Sequence, residues 1–94
     1  MGADMRSESV EVFSDKTNVA IMRHPGRAFP GVLIQGDSLS VLCGQADRVC
    51  TEIGRGSPAF AEANDLRNAL RSYLNHYKAT LVEHGIALPF SEAP

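Results

Sequence analysis

The residue types that could carry chemistry stand together in one short stretch, Gly36-Asp37-Ser38, which directly follows an apolar run at 32–34. A serine that follows a strand and begins a helix can act as a nucleophile, and its own backbone N–H can help to stabilise an oxyanion. The same letters are typical of a helix start, where Asp37 or Ser38 accepts a hydrogen bond from an N–H group two or three residues on. We favour this N-cap interpretation and leave open which of the two residues is the cap.

Two places along the chain could bind an anion. Free N–H groups at the start of a helix bind anions, so Gly36, Asp37 and Ser38 are candidate ligand-binding residues for a phosphate or a carboxylate. Arg27, in the loop before the third apolar segment, could hold the same kind of ligand with its guanidinium group. A five-residue strand at about 3.3 Å per residue separates the two places by roughly 16 Å, so they cannot form one site within one chain.

Residues 32–40, VLIQGDSLS, resemble the nucleophile block of the GDSL family of ester and lipid hydrolases. The resemblance would make Ser38 the nucleophile. The family also requires a DxxH pair near its C-terminus, but Leu81 stands three residues before His84, where the acid should be. Its fold, a doubly wound parallel sheet, needs about twice this length or more, since each βαβ unit takes roughly 30 residues. We therefore predict no catalytic residue and keep Ser38 as the one candidate.

The charge and hydropathy patterns exclude several classes of partner. The 94 residues carry a formal net charge of −2, with basic and acidic residues mixed along the chain, so no basic surface for nucleic acid is expected. No apolar run approaches the roughly 20 residues that cross a bilayer, and the first residues lack the apolar core of a signal peptide. We therefore expect a cytoplasmic protein that binds neither nucleic acid nor a membrane.

The cysteines and histidines give no sign of a disulfide, a metal or a cofactor. Cys43 and Cys50 are seven residues apart in a predicted helix, which puts their Cα atoms about 10 Å apart. A disulfide needs less than about 7 Å, so both are predicted to be free, buried thiols. His76 and His84 have no third ligand nearby in the predicted helix, so neither a metal site nor a cofactor is expected.

Periodicity predicts three strands and then a helix. Alternation of apolar and polar residues, interrupted by turn residues, predicts strands at 9–13, 19–23 and 31–35. Apolar residues at every third or fourth position then predict an amphipathic helix at 38–53.

A second helix follows after a short break. Ser57 is its predicted N-cap, Pro58 its first residue and Gly85 its C-cap. The apolar ending at 86–90 is expected to pack back on the core. The predicted core stripe of this helix comprises Leu66, Leu70, Tyr73, Leu74, Tyr77 and Leu81.

These elements predict an α+β fold of order β-β-β-α-α. The strands form a three-stranded antiparallel meander, and the helices form a hairpin on which one face of the sheet packs, in two layers. A single domain is predicted to span 9–94, and residues 1–8, which are mostly small and polar, are expected to be frayed.

The predicted strands are apolar on both faces, which predicts a homodimer. The helices can cover one face, whereas the other would lie in water in a monomer. The sheets of two copies are expected to pack back to back or to join by an edge strand across a two-fold axis. One face comprises Val19, Ile21, Val32 and Ile34, and the other comprises Phe13, Ala20, Met22 and Leu33.

A wider resemblance covers residues 11–90. The motif PGRxFPGVxIQGDSLS at 25–40 and the ending LPF at 88–90 resemble a small bacterial family of about this length that has no assigned function. The resemblance implies that the loop at 25–31 and the turn at 36–40 belong to one recurring design rather than to a truncated lipase.

Three functions of different class fit these features. The favoured one is a small cytoplasmic binding or accessory protein, similar to an immunity protein or a regulator, that acts as a homodimer and can bind a protein partner. The second is a minimal ester hydrolase that uses Ser38, with a histidine of the partner chain as its base. The third is a sensor of a small anion at residues 37–39 or at Arg27.

Substitutions at the predicted helix start separate these functions. If Asp37 is the cap, Asp37→Ala lowers the free energy of unfolding by about 1 kcal/mol, as measured by urea denaturation. Ser38→Ala leaves stability nearly unchanged unless Ser38 is itself the cap. In a hydrolase, by contrast, Ser38→Ala abolishes ester hydrolysis while the stability stays the same.

Overall fold

A computed structural model describes residues 5–91, which form three strands followed by two helices. This confirms the α+β class and the order β-β-β-α-α. The chain divides into two compact units, a strand unit up to residue 35 and a helical unit from residue 36 on. The frayed segment predicted at 1–8 lies partly outside the described residues, and a single domain over 9–94 stays a prediction. The elements are β1 (Glu11–Ser14), β2 (Val19–Arg23), β3 (Gly31–Ile34), α1 (Gly36–Ile53) and α2 (Phe60–Glu83).

The strand unit is an antiparallel sheet of order β1-β2-β3. Its first strand begins later than predicted, at Glu11, because Glu11 pairs with the last residue of β2, Arg23. Pairing that continued to Ser9 would need Pro25, which has no N–H to donate. Pro25 also lies in the turn where Gly26 adopts a φ of 83°. β2 has its predicted bounds, and β3 ends one residue earlier than predicted.

Strand register places Phe13 on a different face from the one predicted. Opposed residues of an antiparallel pair share a face, and Glu11, two residues before Phe13, opposes Arg23. The Phe13 ring centroid lies 5.9 Å from the guanidinium carbon of Arg23, so Phe13 is on the Arg23 face. The prediction that Phe13 shares the face of Met22 is therefore wrong. Alternation within single strands shows which residues share a face of that strand, but not which faces of two strands coincide.

No residue of the strand unit is buried within the described range 5–35. On one face of the sheet, Arg23 forms an ion pair with Glu11. Their nitrogen and oxygen atoms lie 2.6 Å apart, and the pair is open to solvent. The sheet is thus apolar and exposed on both faces. Four of its large apolar residues are more than half exposed: Val12, Phe13, Val32 and Leu33.

The helical unit is built around a seam between α1 and α2. Leu74 of α2 is buried in this seam, and Leu70, Tyr77 and Phe90 pack around it. Phe90 stacks on Tyr77 with 6.4 Å between ring centroids and 28° between ring planes. The predicted packing of the C-terminal segment on the core is therefore confirmed. The apolar residues that α1 buries recur at every third or fourth position: Leu39, Cys43, Ala46 and Cys50.

Glycines end both helices. Gly54 and Gly85 adopt φ values of 76° and 67°, in the left-handed region that favours glycine. After α2, the Ile86 N–H donates to the Leu81 carbonyl at 2.9 Å, and the Gly85 N–H donates to the Val82 carbonyl at 3.1 Å. These two bonds form a Schellman motif, which satisfies carbonyl groups that the helix leaves without partners.

Both helices start at residues other than those predicted. α1 begins two residues earlier than predicted, and α2 begins at Phe60, with Ala59 at the cap position and no side-chain cap bond. Ser57, the predicted cap, accepts a hydrogen bond at 3.2 Å from the Ala59 N–H. The Ser57 carbonyl also accepts the Phe60 N–H at 3.1 Å. Ser57 therefore closes a tight turn that contains Pro58, and the helix starts after this turn.

The side of α2 that faces the seam coincides only in part with the predicted stripe. Leu66 and Tyr73 were expected in the core, but they are 58% and 63% exposed. Arg67 and Arg71 are partly buried instead, and Arg71 forms an ion pair with Asp47 of α1. Arginine can bury its aliphatic stem while its charged end remains near water, which hydropathy alone does not reveal.

An exposed apolar surface remains on one side of the hairpin. Leu42 and Val49 lie seven residues apart on α1, as do Leu66 and Tyr73 on α2, and all four are exposed. The ion pair between the helices lies on one side of the seam. At 3.6 residues per turn, these four residues point to the other side. We call them the hairpin stripe.

The seam predicts a sharp contrast between two leucines of α2. Leu74→Ala removes a side chain that is 3% exposed, so it should lower the free energy of unfolding by about 2–4 kcal/mol. Leu66→Ala, in the hairpin stripe, should change it by less than about 0.5 kcal/mol, because that side chain is largely in water. Urea denaturation followed by circular dichroism measures both. Equal losses would contradict the assignment of the seam.

Candidate functional site

The start of α1 is shaped by a contact between Gly36 and Tyr77. Gly36 is buried, and a Cβ atom placed on it would overlap the ring carbons and the hydroxyl of Tyr77. Its φ is not positive, so a tight turn does not require glycine at this position. The glycine is needed because the Tyr77 ring occupies the space of a side chain.

Asp37 and Ser38 lie within the first turn of α1, so neither is its N-cap. The Asp37 carboxylate accepts a hydrogen bond from the Ser38 N–H at 2.8 Å, one residue on rather than two or three. A carboxylate in the first turn still stabilises a helix, because it complements the positive end of the helix dipole. The same negative charge disfavours a second anion there. Ligand binding by Gly36, Asp37 and Ser38 stays a prediction, and the position of this carboxylate argues against it.

The Ser38 hydroxyl is not placed as a nucleophile within the described residues. Its side chain is half-buried, and no hydrogen bond joins it to a histidine in the range 5–91. His24 Nδ1 lies 2.8 Å from the Pro25 carbonyl oxygen in its own loop. General-base activation of a serine needs a base within hydrogen-bond reach. The hydrolase hypothesis would thus require a base from a second chain.

Arg27 lies at a shallow groove in the strand unit. The groove has a volume of about 420 Å³ and is lined by residues 31–33 of β3, together with Met22, His24, Arg27 and Phe29. Phe29 is 82% exposed and forms one lip of the groove. The Arg27 guanidinium makes no ion pair with any residue in the described part of the chain, whereas Arg23 pairs with Glu11. An apolar floor beside an unpaired cation suits a ligand or chain segment that carries a carboxylate.

The two edges of the sheet differ in chemistry. Across β1, the register shifts between Val12 and Ser14, which is the irregularity of a β-bulge, and the strand carries the charge of Glu11. β3 consists of Gly-Val-Leu-Ile, pairs regularly with β2 and carries no charge. Bulges and charges protect an edge strand from pairing with other chains, and β3 has neither.

The two cysteines are structural within the helical unit. Cys43 and Cys50 are free and buried. Burial raises the pKa of the Cys43 thiol above its ordinary value, Arg71 acts in the opposite direction, and Asp47 adds to the rise. A raised pKa lowers the fraction of thiolate, which is the reactive form. Cys43 therefore acts as a small apolar side chain in the seam.

Metal-binding clusters and membrane-spanning helices are both absent from residues 5–91. No three His, Cys, Asp or Glu side chains in this range lie close enough together to hold a metal ion. Neither of the described helices is long and apolar enough to cross a membrane.

The sequence predictions for the site residues fall into two groups. Gly36, Asp37 and Ser38 are contiguous at the start of α1, in the helical unit, and Arg27 belongs to the strand unit. Two contacts were not predicted: Tyr77 against Gly36, and Phe29 at the groove beside Arg27. An aromatic residue in a helical stripe gives a general signal for core packing, but it does not identify the residue it will meet.

Two glycines of α1 give a matched test of the Tyr77 contact. Gly36→Ala should lower the free energy of unfolding by about 1–3 kcal/mol, because the new methyl group overlaps the Tyr77 ring. Gly44→Ala should be neutral or should stabilise by up to about 1 kcal/mol. An alanine Cβ there has only ordinary space around it, with the Arg48 guanidinium 3.7 Å away. Thermal or urea denaturation measures both, and a harmless Gly36→Ala would contradict the contact.

The comparisons with known proteins bear on the whole chain. A family model described as a family of unknown function, DUF6959, matches residues 5–90. No curated protein and no solved structure matches the chain. The family match includes both the loop at 25–31 and the helix start at 36–40, the two segments in which all the candidate site residues lie. Since the match extends over most of the sequence, the chain belongs to DUF6959, a family of unknown function.

Proposed function

We propose that this protein is a small, non-enzymatic binding or accessory protein of the cytoplasm that acts as a homodimer. The observation that supports this most directly is the strand unit, where no residue in 5–35 is buried although the strands are apolar on both faces. A small sheet needs a covered apolar face to be stable in water. A second copy of the chain offers a surface of matching chemistry, which can either cover a face of the sheet or extend the sheet at its edge.

Binding to another protein is the second part of the proposal. The hairpin stripe adds an exposed apolar surface in the helical unit, and exposed patches of this kind mark protein contacts. Tyr73 lies within it, and tyrosine is among the residues that contribute most to interfaces. A role like that of an immunity protein or a regulator, which acts by contact rather than by chemistry, is supported by these surfaces.

The chemistry-bearing residues at the start of α1 support the same proposal. Gly36 is accounted for by its contact with Tyr77, and the Asp37 carboxylate by its hydrogen bond to the Ser38 N–H. A minimal hydrolase would need a histidine of a second chain against Ser38. A sensor of small anions at residues 37–39 would have to place its ligand beside the Asp37 carboxylate. No observation within the described residues favours the hydrolase, and the one that favours an anion sensor is the groove beside Arg27, which also suits a carboxylate of a protein partner.

Sedimentation equilibrium tests the homodimer. The expected mass is twice the 10.1 kDa of the chain at high concentration, and it should fall toward the mass of one chain on dilution. A mass of 10.1 kDa at every concentration would contradict the proposal. Hydrolysis of a p-nitrophenyl ester should be the same for the wild type and for Ser38→Ala. An activity that disappears in Ser38→Ala would establish the hydrolase instead.

A further inference from the structure

The open edge of β3 is the part of the strand unit best suited to pair with another strand. It is regular, apolar and uncharged, whereas the opposite edge is bulged at β1. Residues 31–33 also form one wall of the groove that Phe29 and Arg27 border. An extended chain added to this edge would form main-chain hydrogen bonds and fill the groove, as in β-strand addition.

We propose that β3 pairs with β3 of a second copy across a two-fold axis, and that Arg27 of each copy binds Asp37 of the other. This inference rests on the homodimer proposed above and specifies its interface. A two-fold axis perpendicular to the sheet makes the two strands antiparallel and keeps each side chain on its own face, and only the antiparallel hydrogen-bond ladder has this symmetry. The result is one continuous sheet that contains the strands of both copies.

The pairing of Arg27 with Asp37 follows from the antiparallel direction. Opposed residues must share a face, so Val32 of one copy opposes Val32 of the other and Gly31 opposes Leu33. Residues before β3 in one chain then lie beside residues after β3 in its partner. Arg27 precedes Gly31 by four residues, and Asp37 follows Ile34 by three. Within one chain these residues flank opposite ends of β3, whose four residues span about 13 Å at about 3.3 Å per residue. Two-fold pairing brings each end beside the opposite end of the other copy.

The charges of these two residues are complementary and accessible. The Arg27 guanidinium makes no ion pair with any residue in the described part of the chain. The Asp37 side chain is exposed, and its carboxylate accepts one hydrogen bond, from the Ser38 N–H, which leaves other carboxylate lone pairs available. A guanidinium and a carboxylate form a geometrically specific pair. The candidate residues Arg27 and Asp37 thus form one site only when two chains meet.

A charge-exchange experiment tests this pairing. Arg27→Glu and Asp37→Arg should each raise the dissociation constant of the dimer about tenfold, because each homodimer then opposes like charges at two places. An equimolar mixture of the two variants should recover the wild-type affinity. In the mixed dimer, the glutamate introduced at position 27 meets the arginine introduced at position 37, and the native Arg27 meets the native Asp37. Arg48→Glu, an exposed arginine of α1, is the control and should leave the dissociation constant unchanged.

Recovery in the mixture is the result that a purely structural effect cannot produce, because damage to each fold would persist after mixing. A mixture no tighter than the separate variants would overturn the Arg27–Asp37 pair. If Asp37→Arg fails to fold by circular dichroism, the wild type gives the same information. Its dissociation constant should rise several-fold between about 0.05 M and 1 M salt, since salt screens exposed charges. A dissociation constant independent of salt would then count against the pair.

Lysine substitutions test the edge of β3 against packing of sheet faces. Val32→Lys and Leu33→Lys lie on opposite faces of the same edge strand, and both should raise the dissociation constant at least about tenfold, since lysine blocks edge pairing. Val12→Lys is the matched control on the bulged edge, where the native side chain is 54% exposed, compared with 60% at Val32. It should leave the dimer intact.

The outcomes separate the interface from the homodimer itself. If only Val32→Lys or only Leu33→Lys weakens the dimer, the copies pack through one sheet face, and the inference is overturned while the homodimer stands. If Val12→Lys weakens the dimer as strongly as Val32→Lys and Leu33→Lys do, the β3 edge is not the interface. A wild type that remains monomeric at all concentrations overturns both proposals.

Discussion

The contact between Tyr77 and the start of α1 is the constraint on which the helical unit depends. The Tyr77 ring occupies the space of a side chain at Gly36, and it also stacks on Phe90. One side chain of α2 therefore holds both the first residue of α1 and the C-terminal segment. Packing therefore accounts for the glycine among the letters that resemble a hydrolase motif, independently of any role of the serine.

Sequence periodicity predicted the elements better than their contacts. The order of strands and helices and the bounds of β2 followed from alternation and turn residues, since these are local properties. The face of Phe13 was predicted wrongly because strand register depends on pairing with β2. Arg71 lies partly buried in an ion pair with Asp47, whereas Tyr73 is exposed, because side-chain length and pairing can outweigh hydropathy. For the candidate site, Arg27 and Asp37 stay predictions from the sequence, because no property of one chain shows how two chains would place them.

The two units differ in how much of their own apolar surface they bury. The helical unit buries Cys43 and Leu74 in its own seam and closes α2 with a Schellman motif. The strand unit buries no residue in 5–35, and much of its apolar surface remains in water. Burial of apolar surface is the dominant favourable term in folding and in association, so the unit with uncovered surface is the one that gains most from a second chain. In the proposed homodimer, association and fold stability would therefore be coupled in this half of the protein.

The shortness of β3 limits what its open edge can become. Apolar segments of about six or seven residues with high β-propensity and low charge can stack into cross-β fibrils. Val32, Leu33 and Ile34 have that chemistry, but β3 spans only Gly31–Ile34. Pro30 immediately precedes it, and α1 begins two residues after it ends. A proline cannot donate to a ladder, and a helix cannot continue one. The segment is long enough to pair with one neighbour and too short to extend into a fibril, which protects the chain from amyloid growth at its most exposed edge.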